Sequence, residues 1–127
     1  MNNWNQGNIS RSATLLILLS LAACGGGGDV KDDGNHVTVD GANITTTIDK
    51  TNSFDIAISG INDDVTIAAK NTVSTMTISG ANNDVVISPN VIINNIELNG
   101  TDNTLYLPVD YFPAVSLSGT GNKVVHR

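Results

Sequence analysis

Apolar and polar residues alternate in two short bursts that return along the chain. Ile56 and Ile58 stand four and two residues before Gly60, and Val65 and Ile67 five and seven after it. The same places hold Met76, Ile78, Val85 and Ile87 around Gly80, and Ile96, Leu98, Leu105 and Leu107 around Gly100. Around Gly119 they hold Val115, Leu117, Val124 and His126. A degenerate copy opens at Val37 around Gly41, with Thr46 in one of the apolar places. Each burst has period two and predicts a short strand with one buried face. The Ser/Asn-Gly-x-Asn/Asp-Asn/Asp between them consists of residues that tolerate positive φ and bond their own backbone, so it predicts a turn.

Two strands and a turn also suit an antiparallel meander. A third apolar site, at Phe54, Val73, Ile93 and Phe112, decides against it, because it gives each unit three inward-facing segments. The glycines at 41, 60, 80, 100 and 119 set a period near 20 residues, the signature of a repeat architecture. The pattern therefore predicts an all-β fold: a short single-stranded β-helix, or β-solenoid, of about five rungs over residues 37–127. Rungs spaced by about 4.8 Å give a length near 25 Å. Crossovers between parallel strands favour a right-handed coil. Stacking puts Asp63, Asn83, Asn103 and Asn122 in one column, an expected asparagine ladder, and Ser59, Ser79, Asn99 and Ser118 in another. Pro89, Pro108 and Pro113 fall between strands, where a missing N–H costs least. The last rung runs directly to Arg127, so its edge is an expected template for self-association, with Lys123, His126 and Arg127 as charges that blunt it.

The beginning of the chain has a different pattern. Arg11 precedes an apolar run, Ala13 to Ala23, whose eleven residues would span about 16 Å as helix. That is too short for a bilayer of about 30 Å and reads instead as a secretory signal over residues 1–23. Residues 24–36 then read as a flexible tether, because Gly25 to Gly28 and the acids Asp29, Asp32 and Asp33 offer little to bury. Among 127 residues there are 6 Lys and Arg against 12 Asp and Glu, a net charge of −6, and loss of Arg11 with the leader makes it −7. Such a balance disfavours nucleic acid and anionic lipid surfaces as partners. Cys24 is the single cysteine, so no disulfide can form within one chain.

Leu21-Ala22-Ala23-Cys24 resembles the bacterial lipobox. The resemblance implies cleavage before Cys24, acylation of that residue, and membrane attachment through the lipid. Two or three acyl chains hold a protein where one binds only reversibly, at about 0.8 kcal/mol per buried methylene. Gly25 in the next place implies outer-membrane sorting if the cell is diderm. The repeating x-Val/Ile-Ser-Gly-x-x-Asn-x-Val-x-Ile and the ending Gly-Thr-Gly-Asn-Lys-Val-Val resemble a bacterial family of small exported domains of unknown function. Those proteins carry V-x-G-x-x-N-x-V repeats and are often lipoproteins; the resemblance brings no activity with it. Gly119 to Asn122 also resembles the Gly-x-Gly-Asn of curli-type amyloid subunits, but the Gln and Ser ladders of that family are missing.

Candidate chemistry changes this picture little. Asp63, Asp64 and Asp84 are neighbours across two rungs, and paired carboxylates can do acid/base work, yet no Arg lies between Arg11 and Arg127 to assist them. Asp64, Asp84 and Asp102 offer oxygen donors in register for calcium, against the plainer reading of solvated turns. His36 and His126 belong to opposite ends of the coil. No Ser–His–Asp set and no phosphate loop is present, because the glycines at 25–28 lack the strand, Lys and helix of a phosphate cradle. The expectation is a non-enzymatic envelope module, without cofactor, that works through its sheet faces or by end-to-end assembly.

Overall fold

The computed structural model describes the strand Leu15–Leu19 and residues 28–127. Cys24 and the remainder of the expected leader lie outside the described residues. The strands in chain order are β1 (Leu15–Leu19), β2 (Gly28–Asp32), β3 (His36–Gly41), β4 (Thr45–Lys50), β5 (Phe54–Ile58) and β6 (Asp64–Ile67). They continue with β7 (Thr72–Ile78), β8 (Asp84–Ile87), β9 (Ile92–Leu98), β10 (Thr104–Leu107), β11 (Val115–Leu117) and β12 (Lys123–His126). Two sheets result, ordered β1-β4-β6-β8-β10-β12 and β11-β9-β7-β5-β3-β2. From β3 onward every ladder is parallel, and each rung gives one strand to each sheet, so the chain is a β-solenoid of about five turns.

Like stacks on like, as the repeat predicts. Val65 lies opposite Val85, Val85 opposite Leu105 and Leu105 opposite Val124. On the facing sheet Ile58, Ile78, Leu98 and Leu117 form one such column. The inward residues of the first four rungs make one continuous core in which Val37, Ile56, Val65, Met76, Ile96 and Leu105 are fully buried. Side chains of this kind gain about 1.5–3 kcal/mol each on burial, which is what holds two thin sheets together.

The corner after each glycine turns the chain from one sheet to the other. Single parallel bridges join Ala42, Ile61, Ala81, Thr101 and Thr120, so the glycines do run in line along the axis. Two places further on, the backbone is left-handed at Asn43 (φ 61°), Asn62 (60°), Asn82 (58°), Asp102 (55°) and Gly121 (75°). Asn, Asp and Gly are the residues that tolerate this region, which explains the composition of the turn. Gly80 and Gly100 have φ near 80° as well (85° and 81°), and a Cβ on either would collide with the carbonyl oxygen of the glycine one rung below. Close stacking of backbone, as much as φ, therefore demands glycine here.

The structure departs from the sequence reading in four places. The third apolar site does not form a separate side: Val73 and Ile93 begin β7 and β9, the same strands that carry Met76 and Ile96. Ser74 and Thr75 both miss the core, so β7 bends there, and its register against β5 shifts between Phe54 and Ile56. Phe112, expected inside, is 73% exposed. Tyr111 takes its place, accepting the Ile93 N–H at 2.8 Å and donating to the Ile93 carbonyl at 3.3 Å. A hydroxyl can satisfy backbone groups that β11 begins too late to reach, and a phenyl ring cannot. Leu117, also expected inside, is 55% exposed because β11 is outermost in its sheet.

The fourth departure concerns the expected tether, residues 24–36. Gly28–Asp32 is strand β2, antiparallel to β3, with Val30 opposite Val39 and packed against the core. A tight turn follows, in which Gly34 N–H donates to Asp32 Oδ1 at 2.8 Å. Lys50 Nζ reaches both carboxylate oxygens of Asp32, at 2.6 and 2.5 Å, and both side chains are buried. The acids that suggested a solvated tether thus include one whose charge is paired inside the fold. The apolar run of the expected leader is itself extended over β1, antiparallel to β4 with Leu15 opposite Lys50 and Leu19 opposite Thr46.

Candidate functional site

The residues singled out for chemistry all lie at or beside the corner between the two sheets. Asp64 and Asp84 open β6 and β8 as direct neighbours in the parallel ladder, and both are exposed. The same column continues to Thr104 and then Lys123, so a cation follows at its end. Asp102 sits on the left-handed turn one rung further along and leans toward Gly121 of the next rung. The structure therefore brings Asp64 and Asp84 together but leaves Asp102 apart. Among the described residues no three His, Cys, Asp or Glu side chains are grouped so as to hold a metal ion. Asp64 and Asp84 are exposed side by side with Thr104 beyond them, so both carboxylates are solvated. His36 and His126 lie in the first and last rungs, as the repeat requires.

The expected ladder is present and is made of side chain to backbone bonds. Asn83 Oδ1 accepts the Asp63 N–H, Asn103 Oδ1 the Asn83 N–H, and Asn122 Oδ1 the Asn103 N–H, each at 2.9 Å. The amide groups complete it. Asn83 Nδ2 donates to the carbonyls of Gly60 and Ser79 at 2.9 Å, and Asn103 Nδ2 to those of Gly80 and Asn99 at 3.3 and 2.7 Å. Asn122 Nδ2 does the same with Gly100 and Ser118 at 3.1 and 2.6 Å. Each asparagine thereby bonds three backbone groups and ties its own rung to the one below it. Asp63 is the exception in the column. Its Oδ1 accepts the Ile44 N–H at 2.9 Å, while Oδ2 is buried without a hydrogen-bond partner. Burial pushes its carboxyl above the usual carboxylate range, opposed by the Ile44 N–H and reinforced by the charge of Asp40.

Two features were not legible in the repeat. Asn71 is buried at the second corner, where its Oδ1 accepts the Lys50 N–H at 2.6 Å and its Nδ2 donates to Asp49 and to the Ala68 carbonyl. The polar Asn71 where the next rung has Val91 was the only signal. The other is a set of exposed apolar side chains in the C-terminal rungs: Ile92, Val109, Phe112 and Leu117 are all more than half exposed. Ile92 also lines a shallow hollow of about 360 Å³ between the corners at Pro89 and Pro108. Phe112 stacks on His126 with ring centroids 4.5 Å apart, and the Arg127 guanidinium lies 4.1 Å from the Tyr106 ring centre.

Comparison with protein-family models, with curated proteins and with solved structures gives no match. Among the described residues no helix is long and apolar enough to cross a membrane.

Proposed function

We propose that this chain is a lipid-anchored, non-enzymatic module of the bacterial cell envelope, probed by its partners through the flat outer faces of the coil. The observation that carries this reading is Leu21-Ala22-Ala23-Cys24 at the end of an apolar run, with a single cysteine in the chain. The repeat unit and the ending Gly-Thr-Gly-Asn-Lys-Val-Val are the basis for grouping the chain with the exported V-x-G-x-x-N-x-V repeat domains, and Gly25 after Cys24 is the basis for an outer-membrane address. The outer columns are mild in character: Thr66, Val86 and Tyr106 on one sheet, Ala57, Thr77 and Glu97 on the other. Such faces suit protein contact better than sugar stacking, which needs rows of aromatic rings.

Strand β2 begins at Gly28, four residues after Cys24. At about 3.6 Å per residue the lipid would sit within about 14 Å of the first rung, holding the coil close to the membrane. Cleavage before Cys24 would also remove β1 and uncover the outer edge of β4. Acyl labelling of the chain in its host, lost in Cys24→Ser and blocked at the precursor stage by globomycin, tests the anchor; labelling that survives the substitution would refute it.

A second reading, end-to-end assembly, is favoured by the exposed Leu117 on β11, which like β12 is outermost in its sheet among the described residues. Sedimentation over a range of concentrations tests it. Growing assemblies that vanish when a charged tail follows Arg127 would put this reading first.

A further inference from the structure

The column Asp63, Asn83, Asn103, Asn122 is a set of equivalent positions with one chemical difference. In the three asparagine rungs the outer side-chain atom is Nδ2, and it donates to two carbonyls: that of the glycine one rung below, and that of the residue four places earlier in its own rung. By the same register the atom at Asp63 is Oδ2, and the carbonyl facing it is that of Gly41; the Ser59 carbonyl lies against Gly80 instead, because Gly60 lacks the positive φ of Gly80, Gly100 and Gly119. A Cβ built on Gly60 would collide with Asp63 Oδ2 and the Gly41 carbonyl together, so these two oxygens flank the same α-carbon. The residue is 1% exposed, and among the described residues Oδ2 has no hydrogen-bond partner. An ionised carboxylate here sets acceptor against acceptor out of water, whereas a protonated one has an O–H to donate.

We propose that Asp63 is a proton-operated rung of the ladder: with a proton on Oδ2 it donates to the Gly41 carbonyl one rung below and joins the first two rungs as the asparagines join the others, and on losing that proton it opens the corner between them. The proton comes from and returns to solvent. No bond other than O–H is made or broken.

The charged groups around this corner reinforce the effect. Asp40 ends β3 directly below, and Asp29 lies opposite Asp40 on β2. Asp64 and Asp84 are the next residues outward on β6 and β8. Lys31, which lines a small hollow with Asp29 and Asp40, is the cation on that side. Burial favours the neutral form of Asp63 most, and the charge of Asp40 acts in the same direction against the Ile44 N–H. The sign follows from linkage. A carboxyl whose folded value is raised contributes stability that is full below its unfolded value and is lost as pH rises through the folded value. Across that window the unfolding equilibrium constant of one such group changes by up to about tenfold per pH unit.

The test uses the full chain, unfolded by heat and by urea at a series of pH values from mildly acidic to mildly alkaline. The expected result is that wild type gains stability as the pH falls, while Asp63→Asn, which supplies Nδ2, is more stable than wild type on the alkaline side and has lost that part of the pH dependence. Asn83→Asp should add a second step of the same sign. A carbon NMR titration of the Asp63 carboxyl, or its protonated carbonyl stretch in the infrared, reads the proton directly. The proposal is overturned if Asp63→Asn keeps the wild-type slope, or if the Asp63 carboxyl titrates at or below the ordinary aspartate value. It is equally overturned if calcium or sodium on the alkaline side stabilises wild type but not Asp63→Asn, which would put a cation where the proton is assigned.

Discussion

The two ends of the coil are built from the same repeat and have opposite fates. At the N-terminal end Val37 and Val39 are completely buried, because β2 crosses the edge of β3 antiparallel and lays Val30 on the core. At the C-terminal end the equivalent Val115 is half-buried and Leu117 is 55% exposed. The residues differ little in hydrophobicity; what differs is whether another strand lies over them. A rung of a solenoid is stable through its neighbours, so a terminal rung needs either a cap or a partner. Lys50, Asp32 and Asn71 supply the N-terminal cap with its polar fastening.

Four sets of substitutions break or sharpen this contrast. The largest effect belongs to the cap. Lys50→Met leaves the Asp32 carboxylate buried without its partner and should cost about 3–5 kcal/mol in urea unfolding, and pairing it with Asp32→Leu should restore most of that loss. Next comes a comparison within one core column: Leu98→Ala should cost about 2–5 kcal/mol, whereas Leu117→Ala should cost less than about 1 kcal/mol. A similar cost at both positions would mean that the last rung is covered in solution. In the ladder, Asn103→Ala takes away the acceptor of the Asn83 N–H and the amide donor to the Asn99 carbonyl, and should cost about 1–3 kcal/mol. Asn122→Ala, at a more solvated corner, should cost clearly less. The smallest effect is expected for Phe112→Ala, within about 0.5 kcal/mol, since its ring meets only the exposed His126. Amide hydrogen exchange gives the same gradient without mutation: slow in β3 and β5, fast in β11 and β12.

The coil, its period, the stacked columns and the identity of the ladder residues could all be read from residues 37–127. The glycines repeat because backbone stacks on backbone, and the Asn and Asp at the corners repeat because left-handed turns admit few other residues. These are local demands, made again at every rung, and they leave a periodic trace. The cap left none. β2 has a single apolar residue, Val30, and its fastening is a pair of charges eighteen residues apart that looks from composition like part of a solvated tether.

The chemistry of the site divides in the same way. The sequence put Asp64 beside Asp84, and the structure agrees; it also counted Asp102 with them, and the corner geometry sends that side chain elsewhere. Asp63 was read as one more member of a column, and only the packed corner shows that one of its oxygens faces nothing able to donate. The sequence by itself determined everything that repeats: the rung, the turn and which side chains lie over which. Tertiary structure alone decided what happens where the repetition stops or varies. Burial and hydrogen-bond satisfaction there depend on which groups come to lie against a residue, and the repeat does not specify those groups.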